Sequence, residues 1–193
     1  MLRSPVVVGN WKMHGGCAFI EDFFAKFGNS DLATEVAVLL PYIYLQQAQN
    51  MLKGSKIKWG AQNISEHGSG AYTGEISASM LQDFSCTYTL VGHSERRTLY
   101  NEANLTVASK FFMALKSGIK PILCVGESLD ARENDDTFTV IESQCRAVFE
   151  HDDFPEYCSQ GFLIAYEPVW SIGTGKVPST DQVQDVHEFI RGT

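Results

Sequence analysis

Six short apolar runs punctuate the chain: Val6–Val8, Val36–Leu40, Ile57–Gln62, Tyr88–Gly92, Ile119–Val125 and Phe162–Tyr166. They are rich in Val, Ile and Leu and mostly do not alternate with polar residues, which predicts strands buried on both faces. Between them the apolar positions recur at helical spacing. Tyr44, Leu45, Ala48, Met51 and Leu52 share one face, as do Leu105, Ala108, Phe112 and Leu115. Phe138, Ile141, Cys145, Val148 and Phe149 form a third stripe, and Val183, Val186 and Ile190 a fourth. Ser179 followed three residues later by Gln182 has the spacing of a capping box and predicts the start of the last helix.

The pattern is therefore six βα units in series, with no low-complexity linker between them. Strand and helix in strict alternation predict a parallel sheet with helices packed outside it. Two architectures satisfy that order, a closed barrel and an open doubly wound sheet. An open dinucleotide-binding sheet wants G-x-G-x-x-G directly after the first strand, where this chain has Gly9-Asn10-Trp11-Lys12. The nearest glycine cluster, Gly68, Gly70 and Gly74, has a last gap one residue too long. The barrel is favoured on that point.

Composition changes the picture only in places. Of 193 residues, 44% are hydrophobic and 20% charged, the balance of an ordinary globular domain with a real core. The formal net charge of −8 argues against a nucleic-acid partner but not against a small anionic substrate, because a few local cations dominate a cleft. No run approaches the length of a membrane span. Met1 to Val8, with one Arg and an apolar run ending at Gly9, is too short for a signal peptide and reads as an opening strand. Cys17, Cys86, Cys124, Cys145 and Cys158 are odd in number, widely spaced and without a C-x-x-C pair. They read as free thiols in a reducing cytoplasm. Asn63-Ile64-Ser65 and Asn104-Leu105-Thr106 fit the glycosylation pattern by chance.

In a βα barrel the chemistry lies at the C-terminal strand ends. The first run leads into Asn10 and Lys12, the fourth into His93, Ser94 and Glu95, and the sixth into Glu167 and Pro168. Each alone has a bland reading: a solvated Lys, a structural His, a loop Glu. Their joint placement is what points to a site. No metal triad, H-E-x-x-H or G-x-S-x-G is present in the sequence. Gly173-Thr174-Gly175-Lys176 fails as a Walker loop, with Trp170 at the required first glycine and Val177 at the required Ser or Thr. A carboxylate base, an imidazole donor and a cation suit proton abstraction beside a carbonyl, which builds an enediolate needing fixed donors. The segment from Pro168 to Lys176 has two glycines that let backbone amides approach a phosphate, or else is a plain connection.

Four stretches carry a family resemblance. They are Asn10-Trp11-Lys12-Met13, Gly60-Ala61-Gln62-Asn63, Val91-Gly92-His93-Ser94-Glu95-Arg96-Arg97, and Ala165-Tyr166-Glu167-Pro168-Val169-Trp170-Ser171-Ile172-Gly173-Thr174-Gly175. In order and spacing, across essentially the whole chain, they resemble triosephosphate isomerases. The resemblance implies a (βα)8 TIM barrel and the interconversion of D-glyceraldehyde 3-phosphate and dihydroxyacetone phosphate in glycolysis and gluconeogenesis. It implies Glu167 as the base that moves a proton between adjacent carbons. It implies His93 as a neutral electrophile, the positive end of its helix favouring the uncharged ring. Lys12 would supply positive charge, Asn10 would orient the substrate oxygen, and Gly173 would give an amide to the phosphate when a lid closes and excludes water. Glu95 would support Lys12. No cofactor or metal is required. Thr73, in the stretch Gly68 to Glu75, would enter the active site of a partner in a homodimer, and Cys124 would be a buried thiol with no chemistry.

The sequence departs from the family at Ser171, where Ala is common, and at His14, where Asn is common. The resemblance also implies two further βα units with glycine-rich phosphate loops after Ile190-Arg191-Gly192-Thr193. Residues 1–193 are accordingly expected to be a single barrel domain, incomplete at the C-terminus, with about six of eight units. Such a chain is expected to be unstable, swapped or aggregation-prone. The alternative to the enzyme is a truncated, non-catalytic isomerase fragment that at most pairs with a full-length subunit. A different phosphosugar barrel enzyme is the third reading, weakened by the Glu167 and His93 stretches together.

Overall fold

The computed structural model describes residues 4–28 and 32–193; the first three residues of the expected opening strand lie outside them. The elements follow as β1 (Val6–Asn10), α1 (Cys17–Phe27), β2 (Glu35–Leu40), α2 (Leu45–Leu52), β3 (Lys58–Ala61), α3 (Ala78–Asp83), β4 (Tyr88–Val91), α4 (Ser94–Tyr100) and α5 (Asn104–Lys116). Then come β5 (Lys120–Val125), α6 (Leu129–Glu133), α7 (Thr137–Phe149), α8 (Phe154–Tyr157), β6 (Leu163–Tyr166) and α9 (Thr180–Gly192). The strands form one six-stranded sheet in chain order, β1-β2-β3-β4-β5-β6, with parallel pairing. This is the α/β barrel-family fold with six of its eight units.

Burial follows the strand order. Every residue of β4 is buried, and all of β5 after Lys120. The end strands β1 and β6 are only partly covered along their length. The expectation of strands buried on both faces therefore holds for the middle of the sheet and not for its two ends, where a strand has one ladder neighbour instead of two.

The chain divides into two compact units, Met1–Leu90 with Met113–Pro121, and Val91–Phe112 with Ile122–Thr193. In the first unit β1 pairs with β2 from Val6↔Glu35 to Asn10↔Leu39, and β2 with β3 from Ala37↔Lys58 to Leu40↔Ala61. The core there is Ile20, Phe24, Ala37 to Leu40, Leu45, Ala48, Leu52, Ile57 and Leu81. Helix α1 contributes an aromatic cluster in which Trp11 packs against Phe19, Phe23 and Phe24 at 5.3–5.8 Å between ring centres. Gly60 is dictated by strand pairing: a Cβ there would stand 2.0 Å from the Tyr88 carbonyl oxygen.

In the second unit β5 pairs with β6 from Ile122↔Leu163 to Val125↔Tyr166. Ile141, Cys145 and Val148 of α7 are fully buried, as their spacing predicts. Two positions assigned to helical core faces are exposed. Leu105, in the first turn of α5, is 77% exposed, and the buried face begins two residues later at Val107 and Ala108. Phe138, in the first turn of α7, is 43% exposed and packs its ring on Phe189 of α9 at 4.8 Å. The predicted capping box opens α9: Ser179 Oγ accepts from Gln182 N–H at 3.2 Å, and Gln182 Oε1 accepts from Ser179 N–H at 2.9 Å.

Candidate active site

In the second unit three of the predicted residues meet. His93 follows β4 and caps α4, its Nδ1 accepting the Glu95 backbone N–H at 3.2 Å. A backbone amide only donates, so Nδ1 is unprotonated and the ring proton of a neutral imidazole sits on Nε2. That nitrogen faces Glu167 Oε1 at 2.9 Å. The other carboxylate oxygen, Oε2, accepts from Ser94 N–H at 3.0 Å, at the first residue of α4. His93 is buried and the Glu167 side chain is 17% exposed. The carboxylate is thus held by two oriented donors at the strand ends, poised rather than solvated.

The backbone of Glu167 is fixed from β5. Its N–H donates to Val125 O at 2.8 Å, continuing the β5–β6 ladder by one residue. Gly126 follows, where a Cβ would stand 1.9 Å from the Glu167 carbonyl oxygen. Arg97 donates to Gly92 O at 2.8 Å, to Asn104 Oδ1 at 2.7 Å and to Cys124 O at 3.4 Å. Burial lowers the Arg97 pKa, and the neighbouring Cys124, Glu102 and Glu167 push back against that shift. Cys124 is buried, and burial first, then the Glu167 carboxylate, pushes its thiol well above the ordinary range.

Beyond Glu167 the chain makes a 3-10 turn at Val169–Ser171, and Gly173 and Gly175 follow with φ of 71° and 76°. These left-handed values suit glycine and leave the amides of an exposed segment accessible. The near end of this segment is anchored by Glu127. Its Oε1, fully buried, accepts from Trp170 Nε1 at 2.8 Å and Tyr166 Oη at 3.0 Å, with Arg132 at 3.4 Å.

Asn10, Lys12 and Thr73 belong to the first unit. Lys12 has φ of 50°, unusual for a residue with a side chain. Two contacts hold that conformation. Asn10 Oδ1 accepts the Lys12 N–H at 2.9 Å, and Gln62 Nε2 donates to Lys12 O at 2.9 Å and to Leu39 O at 3.0 Å. Thr73 lies at the exposed tip of a loop closed at its base by Ser65 N–H to Ile76 O at 2.9 Å. Within the loop the His67 and Tyr72 rings stack at 3.7 Å.

His93, Glu95 and Glu167 are legible from the sequence, whereas the Ser94 N–H, Gln62, Gln144 and Glu127 carry no sequence signal for the contacts they make. All act through bonds between positions distant in the chain, which leave no local motif. Among the described residues, no group of three or more His, Cys, Asp or Glu side chains is arranged to hold a metal ion. Among them, too, no helix is long and apolar enough to cross a membrane.

Known proteins match this chain over nearly its whole length. The family description "Triosephosphate isomerase" matches residues 5–193. The triosephosphate isomerase of Thiobacillus denitrificans is 50% identical over 191 residues, covering 99% of this chain and 76% of that protein. Those of Methylococcus capsulatus and Nitrosomonas eutropha are 48% and 50% identical over 194 residues, covering 98% and 99% of this chain and 76% of each relative. By sequence and by fold, this chain belongs to the triosephosphate isomerase family.

Proposed function

We propose that the protein interconverts D-glyceraldehyde 3-phosphate and dihydroxyacetone phosphate by proton transfer through an enediolate, as part of glycolysis and gluconeogenesis in the cytoplasm. The observation that carries the reading is the His93–Glu167 pair, with Nε2 2.9 Å from the carboxylate and Nδ1 already occupied. A substrate carbonyl oxygen arriving at Nε2 replaces the carboxylate as acceptor. Glu167 then loses one of its two donors and is released to take the proton from the adjacent carbon. The same Nε2–H stabilises the developing oxyanion. Lys12 supplies the positive charge for the anionic substrate, Asn10 orients its oxygen, and Glu95 supports Lys12; these roles rest on the family resemblance. Gly173 gives its amide to the phosphate as the lid segment closes, and exclusion of water favours reprotonation over loss of phosphate. The chemistry calls for no cofactor.

A homodimer, with Thr73 presented to the partner, is part of the proposal and is supported by the closed, exposed loop at residues 65–76. A coupled isomerase assay tests the function. Activity that falls by roughly a thousandfold in Glu167→Gln supports it. Equal rates in the two proteins, or none in either, overturn it.

A further inference from the structure

The Glu167 backbone rests on Gly126, and Gly126 is held by one side chain. Gln144 of α7 is buried, 9% exposed, and turns both ends of its amide onto that single residue. Its Oε1 accepts Gly126 N–H at 2.8 Å and its Nε2 donates to Gly126 O at 3.1 Å. A Cβ at Gly126 would stand 1.9 Å from Glu167 O and 3.1 Å from Val169 Cγ2, so the Gly126 backbone packs directly against the start of the lid segment. The surroundings do not supply a rigid wall. A cavity of about 280 Å³ is lined by Val125, Gly126, Gln144, Glu167, Val169 and Val140 among others. Close packing is what ordinarily immobilises a buried segment. Here there is open space beside it, and the two hydrogen bonds to Gly126 act with the Glu167 N–H to Val125 O bond to hold it.

We infer that Gln144 is the positioning residue of the candidate base. It sets the height of Glu167 against His93 through Gly126, without touching a reacting atom. The inference rests on the reading of Glu167 as the base. An apolar side chain at 144 would leave the half-buried Gly126 N–H without its acceptor, a cost the segment relieves by shifting into the cavity.

The test uses the whole 193-residue chain, as wild type, Gln144→Leu and Gln144→Glu. Hydrogen exchange at the Gly126 and Glu167 amides is followed by NMR beside the Leu39 amide of the first unit, together with the nitrogen shift of His93 Nε2. The expected result is unchanged Leu39 exchange, faster Gly126 and Glu167 exchange by on the order of tenfold, and a moved His93 signal. Gln144→Glu keeps an acceptor for Gly126 N–H but loses the donor, so its effect is smaller. Wild-type exchange and an unmoved His93 signal in Gln144→Leu overturn the proposal. So does acceleration of all three amides together, which is a general loss of stability. If Gln144→Leu does not fold, the same criteria are applied to Gln144→Glu; failure of both to fold makes Gln144 a structural residue and also overturns it. Isomerase activity that survives in Glu167→Gln would sink the base assignment alone and leave these exchange results standing.

Discussion

His93 Nε2 lies 2.9 Å from Glu167 Oε1, while His93 Nδ1 accepts the Glu95 amide at 3.2 Å. One ring nitrogen is fixed as acceptor by the backbone, so the other is a donor aimed at the carboxylate. His93→Asn removes the donor at that position while leaving a small polar group to cap α4. The expected outcome is a fall in kcat of roughly a hundredfold to a thousandfold with a smaller change in KM. Steady-state kinetics in both reaction directions measure it.

The anchor of the lid segment is a second testable unit. Trp170 Nε1, Tyr166 Oη and Arg132 converge on the buried Oε1 of Glu127. Trp170→Phe deletes a hydrogen bond to a charged acceptor and is expected to destabilise the chain by about 2 kcal/mol. Urea unfolding reads the loss. The Tyr166 hydroxyl is pushed well up, by burial first and by the Glu127 carboxylate second. Glu127→Gln removes only the second cause, so an alkaline absorbance titration should show Tyr166 ionising earlier than in wild type.

Gly60→Ala tests strand pairing in the first unit. The added Cβ would meet the Tyr88 carbonyl oxygen at 2.0 Å, and a backbone atom cannot move aside as a side chain can. A cost of about 3 kcal/mol is expected. The β3–β4 register Gly60↔Tyr88 should lose its amide protection first.

Burial separates the thiols and makes stability sensitive to alkali. The Cys86 thiol is pushed up to about 12 and Cys145 to about 11, burial being the first cause for each. The folded state holds their protons more tightly than the unfolded chain, whose thiols ionise near 9.0. Their contribution is complete below that pH and is lost as pH rises through the folded values. The thermal midpoint should therefore decline above about pH 9, and Cys86→Ala should decline less steeply. In thiol labelling below that range, exposed Cys17 should react before the buried Cys86, Cys124 and Cys145.

The strands were legible because short, non-alternating Val, Ile and Leu runs set between helical patterns mark a parallel sheet, and observed ends fall within two residues of the runs. Asn10, beyond the first run, belongs to β1 through its pairing with Leu39. Ser179 and Gln182 were legible because a capping box is local. The misplacement of Leu105 and Phe138 has a common cause. Both occupy a helix's first turn, where the apolar spacing already runs but the side chain stays exposed, Leu105 at 77% and Phe138 at 43%. His93 and Glu167 stood out by position after strands. The contacts of Gln62 and Gln144 did not, since their partners lie 50 and 18 residues away in the chain. The left-handed Lys12 was equally hidden, because lysine gives no sign of a positive φ.

If Glu167 moves a proton between adjacent carbons of the substrate, that proton exchanges with solvent on the way. Incubation with dihydroxyacetone phosphate in deuterated water, followed by NMR of the recovered sugar, tests it most directly. Deuterium is expected at the carbon beside the carbonyl, introduced by the wild-type chain and lost in Glu167→Gln. Equal incorporation in the two proteins, or isomerisation by Glu167→Gln at the wild-type rate, would contradict it.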